Sequence, residues 1–162
     1  MKKKPKILIV RSRYNDTVRL SKSAILVLGQ EKISFKEILV NGAFEIPVTI
    51  ARNINKFDGF IALGIIIKGE TPNFTLISQA ITNGLMEIAI TYKKPIGNAV
   101  LTCLNNKQAD ERIIKGDEAA KAVLDVLKPN KYCWFKFFRW FHKIIKQTLV
   151  QELESFKKYT VI

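Results

Sequence analysis

Histidine is almost missing from this chain of 162 residues; the one histidine is His142, far along in the C-terminal part. Cysteine is nearly as scarce. Cys103 and Cys133 have no metal-ligand spacing, and two thiols alone imply no disulfide framework. No apolar run approaches the roughly 20 residues that a membrane-spanning helix needs. The start, Met1-Lys2-Lys3-Lys4-Pro5-Lys6, is followed only by the short apolar stretch Ile7 to Val10, with no small-residue cleavage site of a secretory leader. A reducing, cytoplasmic setting is therefore expected. Internal repeats and low-complexity linkers are absent too, as are helix-turn-helix, zinc-finger and RNA-recognition signatures.

Acidic residues are in deficit. The formal net charge is +13, with hydrophobic residues at 48% and charged residues at 25%, an ordinary globular balance. Residues 1–128 carry a net +8 and residues 129–162 a net +5, so the basic excess is spread along the chain and densest in the tail. Charge alone speaks to solubility and non-specific binding. Without a recognition motif it does not argue for nucleic acid, and none is expected as a partner.

Strand and helix patterns alternate. Strands are expected at Lys6–Val10, Ile33–Val40, Phe57–Ile67 and Pro95–Leu104. A helix is expected from a cap at Asp16 to about Leu28, ended by Gly29. Further helices are expected at Glu45–Asn55, Asn73–Tyr92, Lys107–Ile114 and Asp117–Leu127, the last two broken at Gly116. In Asn73–Tyr92 the apolar residues Phe74, Ile77, Ile81, Leu85 and Ile88 keep close to helical spacing. Alternation of this kind predicts a parallel sheet covered on both faces, with ligands at the carboxyl ends of the strands.

The third strand carries the most information. Phe60 to Ile67 is almost unbroken apolar sequence, then stops at Lys68-Gly69-Glu70-Thr71-Pro72. Thr71 is expected to cap the next helix, with Pro72 at its first position. Free backbone N–H groups and the helix dipole at such a start favour an anion, here a phosphorylated small molecule. Other carboxyl-end loops add chemistry that a link does not need. Tyr14 offers a flat face for stacking, or packs at a strand edge. Glu45 accepts hydrogen bonds from a polyol or amine, or merely favours a helix start. Arg112 pairs with a phosphate, or is a solvated helix charge.

Taken together, Ser12-Arg13-Tyr14-Asn15-Asp16, Asn41-Gly42-Ala43-Phe44-Glu45-Ile46-Pro47, Ala62 to Thr71, Leu101-Thr102 and Gln108-Ala109-Asp110-Glu111-Arg112 resemble 6,7-dimethyl-8-ribityllumazine synthases in order and spacing. The likeness covers about residues 6–128. It implies an α/β chain with a flavodoxin-like three-layer αβα sandwich on a four-stranded parallel sheet, a lumazine-synthase-like domain over 1–128, and assembly into a homopentamer or a shell of pentamers. The implied reaction condenses 5-amino-6-(D-ribitylamino)uracil with 3,4-dihydroxy-2-butanone 4-phosphate, with no metal and no organic cofactor. By position, Tyr14 matches the aromatic that stacks on the pyrimidine, with Asn15 beside it. Ala43, Phe44 and Glu45 match the segment around the ribityl chain and ring edge, and Ile66 and Ile67 supply backbone groups along the pyrimidine. Gly69, Glu70 and Thr71 match the phosphate-facing loop. Asn98 matches a wall contributed by a neighbouring subunit, Arg112 the arginine on the butanone phosphate, and Lys115 a basic residue after it.

Two departures stand out. The histidine that the family places two residues after the Gly-Glu-Thr threonine is Asn73 here, and asparagine does not titrate near neutral pH. A slow enzyme and a non-catalytic homologue that binds a ribityl-pteridine or builds a shell are both open on that ground. The second departure is the segment 129–162, a basic, aromatic extension expected to be helical. It holds both tryptophans and 9 of the 16 aromatic residues. Packing on a subunit, contact with a membrane surface and stacking on single-stranded nucleic acid all suit that composition.

Overall fold

The computed structural model describes residues 4–128. Four strands form one all-parallel sheet in the order β2-β1-β3-β4: β1 (Lys6–Ser12), β2 (Ser34–Val40), β3 (Gly59–Ile67) and β4 (Ile96–Cys103). The central strands read as they do because both their faces are covered. Ile7, Leu8, Ile9 and Val10 of β1 and Phe60 to Leu63 of β3 are fully buried. Each such side chain is worth about 1.5–3 kcal/mol relative to exposure. In register, Val10 lies between Ile38 on β2 and Ala62 on β3, and Ala62 in turn pairs with Asn98 on β4.

Parallel pairing requires a crossover between strands, and helices supply it. Helices α1 (Val18–Gln30), α4 (Asn106–Asp110) and α5 (Lys115–Leu127) cover one face, where Ile7, Ile9, Ile61, Leu63, Ile65 and Leu101 meet Leu20, Leu28, Ala120 and Val123. Helices α2 (Ile46–Asn53) and α3 (Asn73–Tyr92) cover the other, where Leu8, Val10, Phe60 and Ala62 meet Ile46, Ile50, Ile81 and Leu85. The three-layer reading and the four-stranded parallel sheet are as expected. Among the described residues no helix is long and apolar enough to cross a membrane.

Helix boundaries depart from expectation at several places. Gly29 does not end α1, which runs on to Gln30; the chain turns at Lys32, with φ 52°, where the Lys32 N–H bonds Gly29 O and the Ile33 N–H bonds Leu28 O. Thr17, not Asp16, stands at the cap position of α1, although Asp16 Oδ1 accepts the Val18 N–H at 2.9 Å. Glu45–Asn55 is not one helix, since 3₁₀ turns at Ala43–Glu45 and Ile54–Lys56 flank α2. Lys94 pins the second turn, its Nζ donating to Ile54 O and Phe57 O at 2.6 and 2.7 Å. Thr71 does not cap α3. Pro72 stands at the cap position, and its carbonyl takes the Thr75 N–H.

Gly116 is a close approach, not a break. It is buried inside α5, and a Cβ there would lie 2.2 Å from Leu20 O and 2.3 Å from Ser23 Oγ on α1. Gly97 on β4 plays the same part, with Ala119 O at 2.3 Å from its would-be Cβ. Gly97→Ala and Gly116→Ala should therefore each lower unfolding free energy by about 1–3 kcal/mol through overpacking. Gly29, with nothing within 4 Å of its would-be Cβ, should gain up to ~1 kcal/mol on Gly29→Ala from helix propensity. Urea denaturation of the three variants checks this ordering.

Candidate functional site

The carboxyl ends of all four strands open onto one edge of the sheet, and side chains fix the loops there. Arg13, just past β1, donates from Nε and Nη2 to Asn41 Oδ1 at 3.0 and 2.6 Å, tying the first loop to the second. Asn15 Nδ2 donates to Ile65 O at 2.8 Å, tying the same loop to β3. Below them, Arg11 Nε meets Glu37 Oε1 at 2.8 Å, and that oxygen also takes the Ser21 hydroxyl at 2.6 Å. This partly buried cluster holds the start of α1 against β1 and β2. Pattern reading missed Arg13 and Asn41 as positioning residues. Their place inside the two motif blocks was the available signal.

The expected site residues fall into three groups. In the first, Tyr14 is almost fully exposed at the mouth of a cavity of about 410 Å³ that Asn15 and Ile65 also line. The second lies on the opposite face of the sheet. There Phe44 and Glu45 border a concavity of about 280 Å³ with Pro47, Val48, Ala80 and Ile81, above the buried Ala43. Glu45 is not a free carboxylate. Its Oε2 accepts the Gly42 N–H at 2.7 Å, closing the turn that leads into α2. The helix-start reading of Glu45 is thus realised, and Oε1 is left to face solvent or a ligand.

Ile66 and Ile67 end β3 half-buried, and the Lys68 N–H still reaches Cys103 O at 2.8 Å. Gly69, Glu70 and Thr71 follow in an exposed turn, and Asn73, also exposed, opens α3. No acidic residue occupies the first turn of α3, and Gly69 has open space around it and no positive φ. Among the described residues, the Thr71 hydroxyl and the Asn73 carboxamide make no hydrogen bond. A 20-residue helix starting this way presents unpaired N–H groups and the positive end of its dipole, which suits an anion.

The third group lies apart. Asn98 is exposed in the middle of the edge strand β4, its Oδ1 accepting the Val100 N–H at 2.9 Å. Arg112 sits in the turn between α4 and α5, where Nη1 donates to Gln108 O at 2.8 Å, and Lys115 Nζ pairs with Glu118 at 2.5 Å. The charge of Arg112 nonetheless reaches the sheet edge. Burial pushes the Cys103 thiol up, and the Arg112 guanidinium partly opposes that. The link from Arg112 to α5 is only Ile113 and Ile114. No group of three or more His, Cys, Asp or Glu among the described residues is placed to hold a metal ion.

The family model described as 6,7-dimethyl-8-ribityllumazine synthase matches residues 4–131. A protein of that name from Agrobacterium fabrum is 35% identical over 142 residues, covering 79% of this chain and 96% of its own. Its namesakes from Bartonella tribocorum and Campylobacter curvus are 36% and 37% identical, covering 81% and 79% of this chain and 93% and 90% of theirs.

The Glu45–Gly42 bond makes a test of stability independent of any ligand. Glu45→Ala should cost roughly 0.5–2 kcal/mol, as loss of a capping contact does. Glu45→Gln keeps the reach and should cost less than half as much. Thermal or urea melts of the two variants compare them directly.

Proposed function

The chain belongs to the 6,7-dimethyl-8-ribityllumazine synthase family, and from that premise we propose that it condenses 5-amino-6-(D-ribitylamino)uracil with 3,4-dihydroxy-2-butanone 4-phosphate, the penultimate step towards riboflavin. The observation that carries the reading is the family match over residues 4–131, which spans the whole described sheet and every carboxyl-end loop. Residues 1–128 form the catalytic domain in this reading. Residues 129–162 are an appended segment whose expected helix lies outside the described residues; subunit packing or membrane-surface contact is its role.

The residues divide the work as follows. Tyr14 stacks on the pyrimidine, with Asn15 holding its loop to β3. Ala43, Phe44 and Glu45 receive the ribityl chain and ring edge, Glu45 through the oxygen that Gly42 leaves free. Backbone groups of Ile66 and Ile67 line the ring. Gly69, Glu70 and Thr71, with the start of α3, hold the phosphate of the four-carbon substrate. Its second clamp is the cationic pair Arg112 and Lys115. Within one chain neither Arg112 nor Lys115 hydrogen-bonds the Gly69–Thr71 loop, and Asn98 lies mid-strand on the sheet's edge. These three therefore serve the site of an adjacent copy in a homo-oligomer, a pentamer or a shell of pentamers. The exposed apolar side chains Phe44, Val48, Leu76, Met86 and Ile90 on the α2–α3 side support burial against such copies.

In the reaction, the 5-amino nitrogen attacks the ketone and water leaves as the imine forms. Phosphate is then eliminated, and the ring closes as the ribitylamino nitrogen attacks the remaining carbonyl and a second water leaves. Holding two reactants together supplies much of the acceleration. The α3 start and the Arg112–Lys115 pair stabilise charge on the departing phosphate. Asn73 orients by hydrogen bonding where a histidine would move protons, so the leaving phosphate, water and substrate amines carry them.

Turnover with both substrates should exceed the enzyme-free rate; an assembled protein no faster than the mixture alone is a non-catalytic homologue. Asn73→His should then raise turnover, up to the roughly 10²–10⁴-fold that general acid–base catalysis contributes. It should also bring in a titration near pH 6.5. Unchanged pH dependence in that variant argues against proton transfer from this position. Arg112→Ala should weaken binding of the butanone phosphate by roughly 1.5–3 kcal/mol while leaving pyrimidine binding nearly unchanged, as separate calorimetric titrations would show.

A further inference from the structure

The sheet edge opposite the carboxyl ends carries a concentration of charge that the condensation does not use. The segments leading into the four strands, residues 4–6, 31–33, 54–58 and 93–95, hold six lysines against Glu31 and Asp58, a net of +4. The segments leaving the strands, residues 13–17, 41–45, 68–72 and 104–105, hold Arg13 and Lys68 against three acids, a net of −1. Lysines just past a helix offset its dipole, which is the ordinary reason to find them there. Helices α1, α2 and α3 end at these links, at roughly −0.5 charge each, and so balance less than half of the surplus. Among the described residues none of Lys4, Lys6, Lys32, Lys56, Lys93 and Lys94 is ion-paired.

Contacts between the segments set them side by side. Lys4 Nζ donates to Lys32 O at 3.3 Å. The Lys6 N–H donates to Asp58 Oδ2 and the Asp58 N–H to Lys6 O, both at 2.8 Å, and the Lys6 ammonium stands 5.1 Å from the centre of the Phe57 ring. Lys94 closes the row through its bonds to Ile54 O and Phe57 O. With strands about 4.8 Å apart, four of them span roughly 15 Å. The helix-to-strand links are three to five residues long, so the row is low and has no walls of its own. Exposed aromatic rings flank it. Phe35 on β2 pairs with Ile7 and so lies on the α1–α5 side, and Tyr92 ends α3 on the other. Helix α5 also ends at this edge, where Leu127 Cδ1 lies 3.1 Å from the place of a Cβ on Gly59, the first residue of β3. The chain therefore runs on from here into residues 129–162, with their net +5 and 9 of the 16 aromatics.

The kind of cation and the shape of the row decide the partner. Nucleic acid is met best by the planar fork of arginine and by a groove that tracks the strand. All six cations of this row are lysines, and the row is not a groove. Compact ammonium charges on a low surface, with aromatic rings at its sides, suit the phosphates of lipid headgroups. We propose that the amino-end row of lysines is a docking surface for an anionic lipid bilayer, holding the carboxyl-end site on the side away from the membrane. This puts the contact on the folded domain itself, not on residues 129–162 alone, and it does not depend on the condensation reading.

Co-sedimentation of the full-length protein with vesicles of equal parts phosphatidylcholine and phosphatidylglycerol tests it, beside vesicles of phosphatidylcholine alone. Binding to the anionic vesicles only is expected, falling as salt rises. The side chains of Lys32, Lys56 and Lys93 make no hydrogen bond among the described residues, so they can be changed together without loss of a contact. Lys32→Gln, Lys56→Gln and Lys93→Gln combined should weaken vesicle binding roughly 100-fold, at about fivefold for each lysine near a charged surface. The same three changed to arginine should bind as the unaltered protein does. Lys22→Gln, Lys68→Gln and Lys107→Gln remove equal charge elsewhere and should cost no more than about tenfold, since screening acts over about 8 Å. No loss from the first triple variant, or an equal loss from both glutamine variants, overturns the docking row. Tighter binding to polyuridylate than to anionic vesicles, lost in the first variant, assigns the row to nucleic acid and overturns the lipid class. Turnover of the first variant should match that of the unaltered protein. Turnover absent from both counts against the condensation reading alone, because vesicle binding is measured without substrate.

Discussion

Burial of β1 and β3 on both faces is the constraint from which the rest of this molecule follows. Neither strand has a solvent side, so both read as continuous apolar sequence, and both need neighbours to take their backbone groups. Parallel neighbours satisfy that need only if every connection crosses back over the sheet. The crossovers become α1, α2 and α3, and all strand-to-helix turns fall at one edge. Gathering Tyr14, Glu45, Thr71 and Asn73 at that edge is thus a result of packing before it is one of chemistry. Close approach of α5 to the sheet at Gly97 and to α1 at Gly116, possible only because neither residue has a Cβ, lets α1 and α5 share one layer.

Much of this was legible in the sequence, and the reason differs by element. β1 and β3 were plain because their apolar runs stop at polar or glycine-containing turns, and α3 because its apolar residues keep helical spacing, whereas β2 is of mixed polarity. One misreading depends on partners distant in the chain. Gly116 looks like a helix break until Leu20 O is seen against it. Gly29 looks like a stop, yet the turn is made three residues on at Lys32. Thr71 is a good capping residue by type, but Pro72 takes the cap position and the threonine hydroxyl is left unpaired. At Gly116 a local preference is weak beside the tertiary contact that overrides it, whereas at Gly29 and Thr71 the local backbone sets the turn.

The candidate site shows the same division. The residues that sequence motifs supply are present at the sheet edge, but one chain does not bring them all together. Tyr14 and Asn15 face one side, Phe44 and Glu45 the other, and Arg112 with Lys115 stands on the α4–α5 turn. Motif order along a chain carries no information about which copy a side chain serves. Glu45 adds a further point. A carboxylate that closes its own turn on Gly42 is held in one orientation, so its free oxygen is positioned before any ligand arrives. Structural and ligand-binding readings of that residue, which pattern analysis set against each other, are compatible.

Asn73 decides how much the missing histidine matters, and magnitudes settle the question better than the substitution's chemistry does. General acid–base assistance is worth about 10²–10⁴-fold. Bringing two reactants into register reaches effective molarities of about 10⁵–10⁸ M. The groups that would achieve register, a stacking ring at Tyr14, an oriented carboxylate at Glu45 and an anion-favouring start to α3, do not depend on the histidine. Each reacting species also carries its own proton carriers, the amines of one substrate and the phosphate of the other. Exchanging a titratable side chain for a carboxamide removes the smaller term and leaves the larger one in place, which is why retention of the binding set weighs more for catalysis than the loss of one proton donor weighs against it.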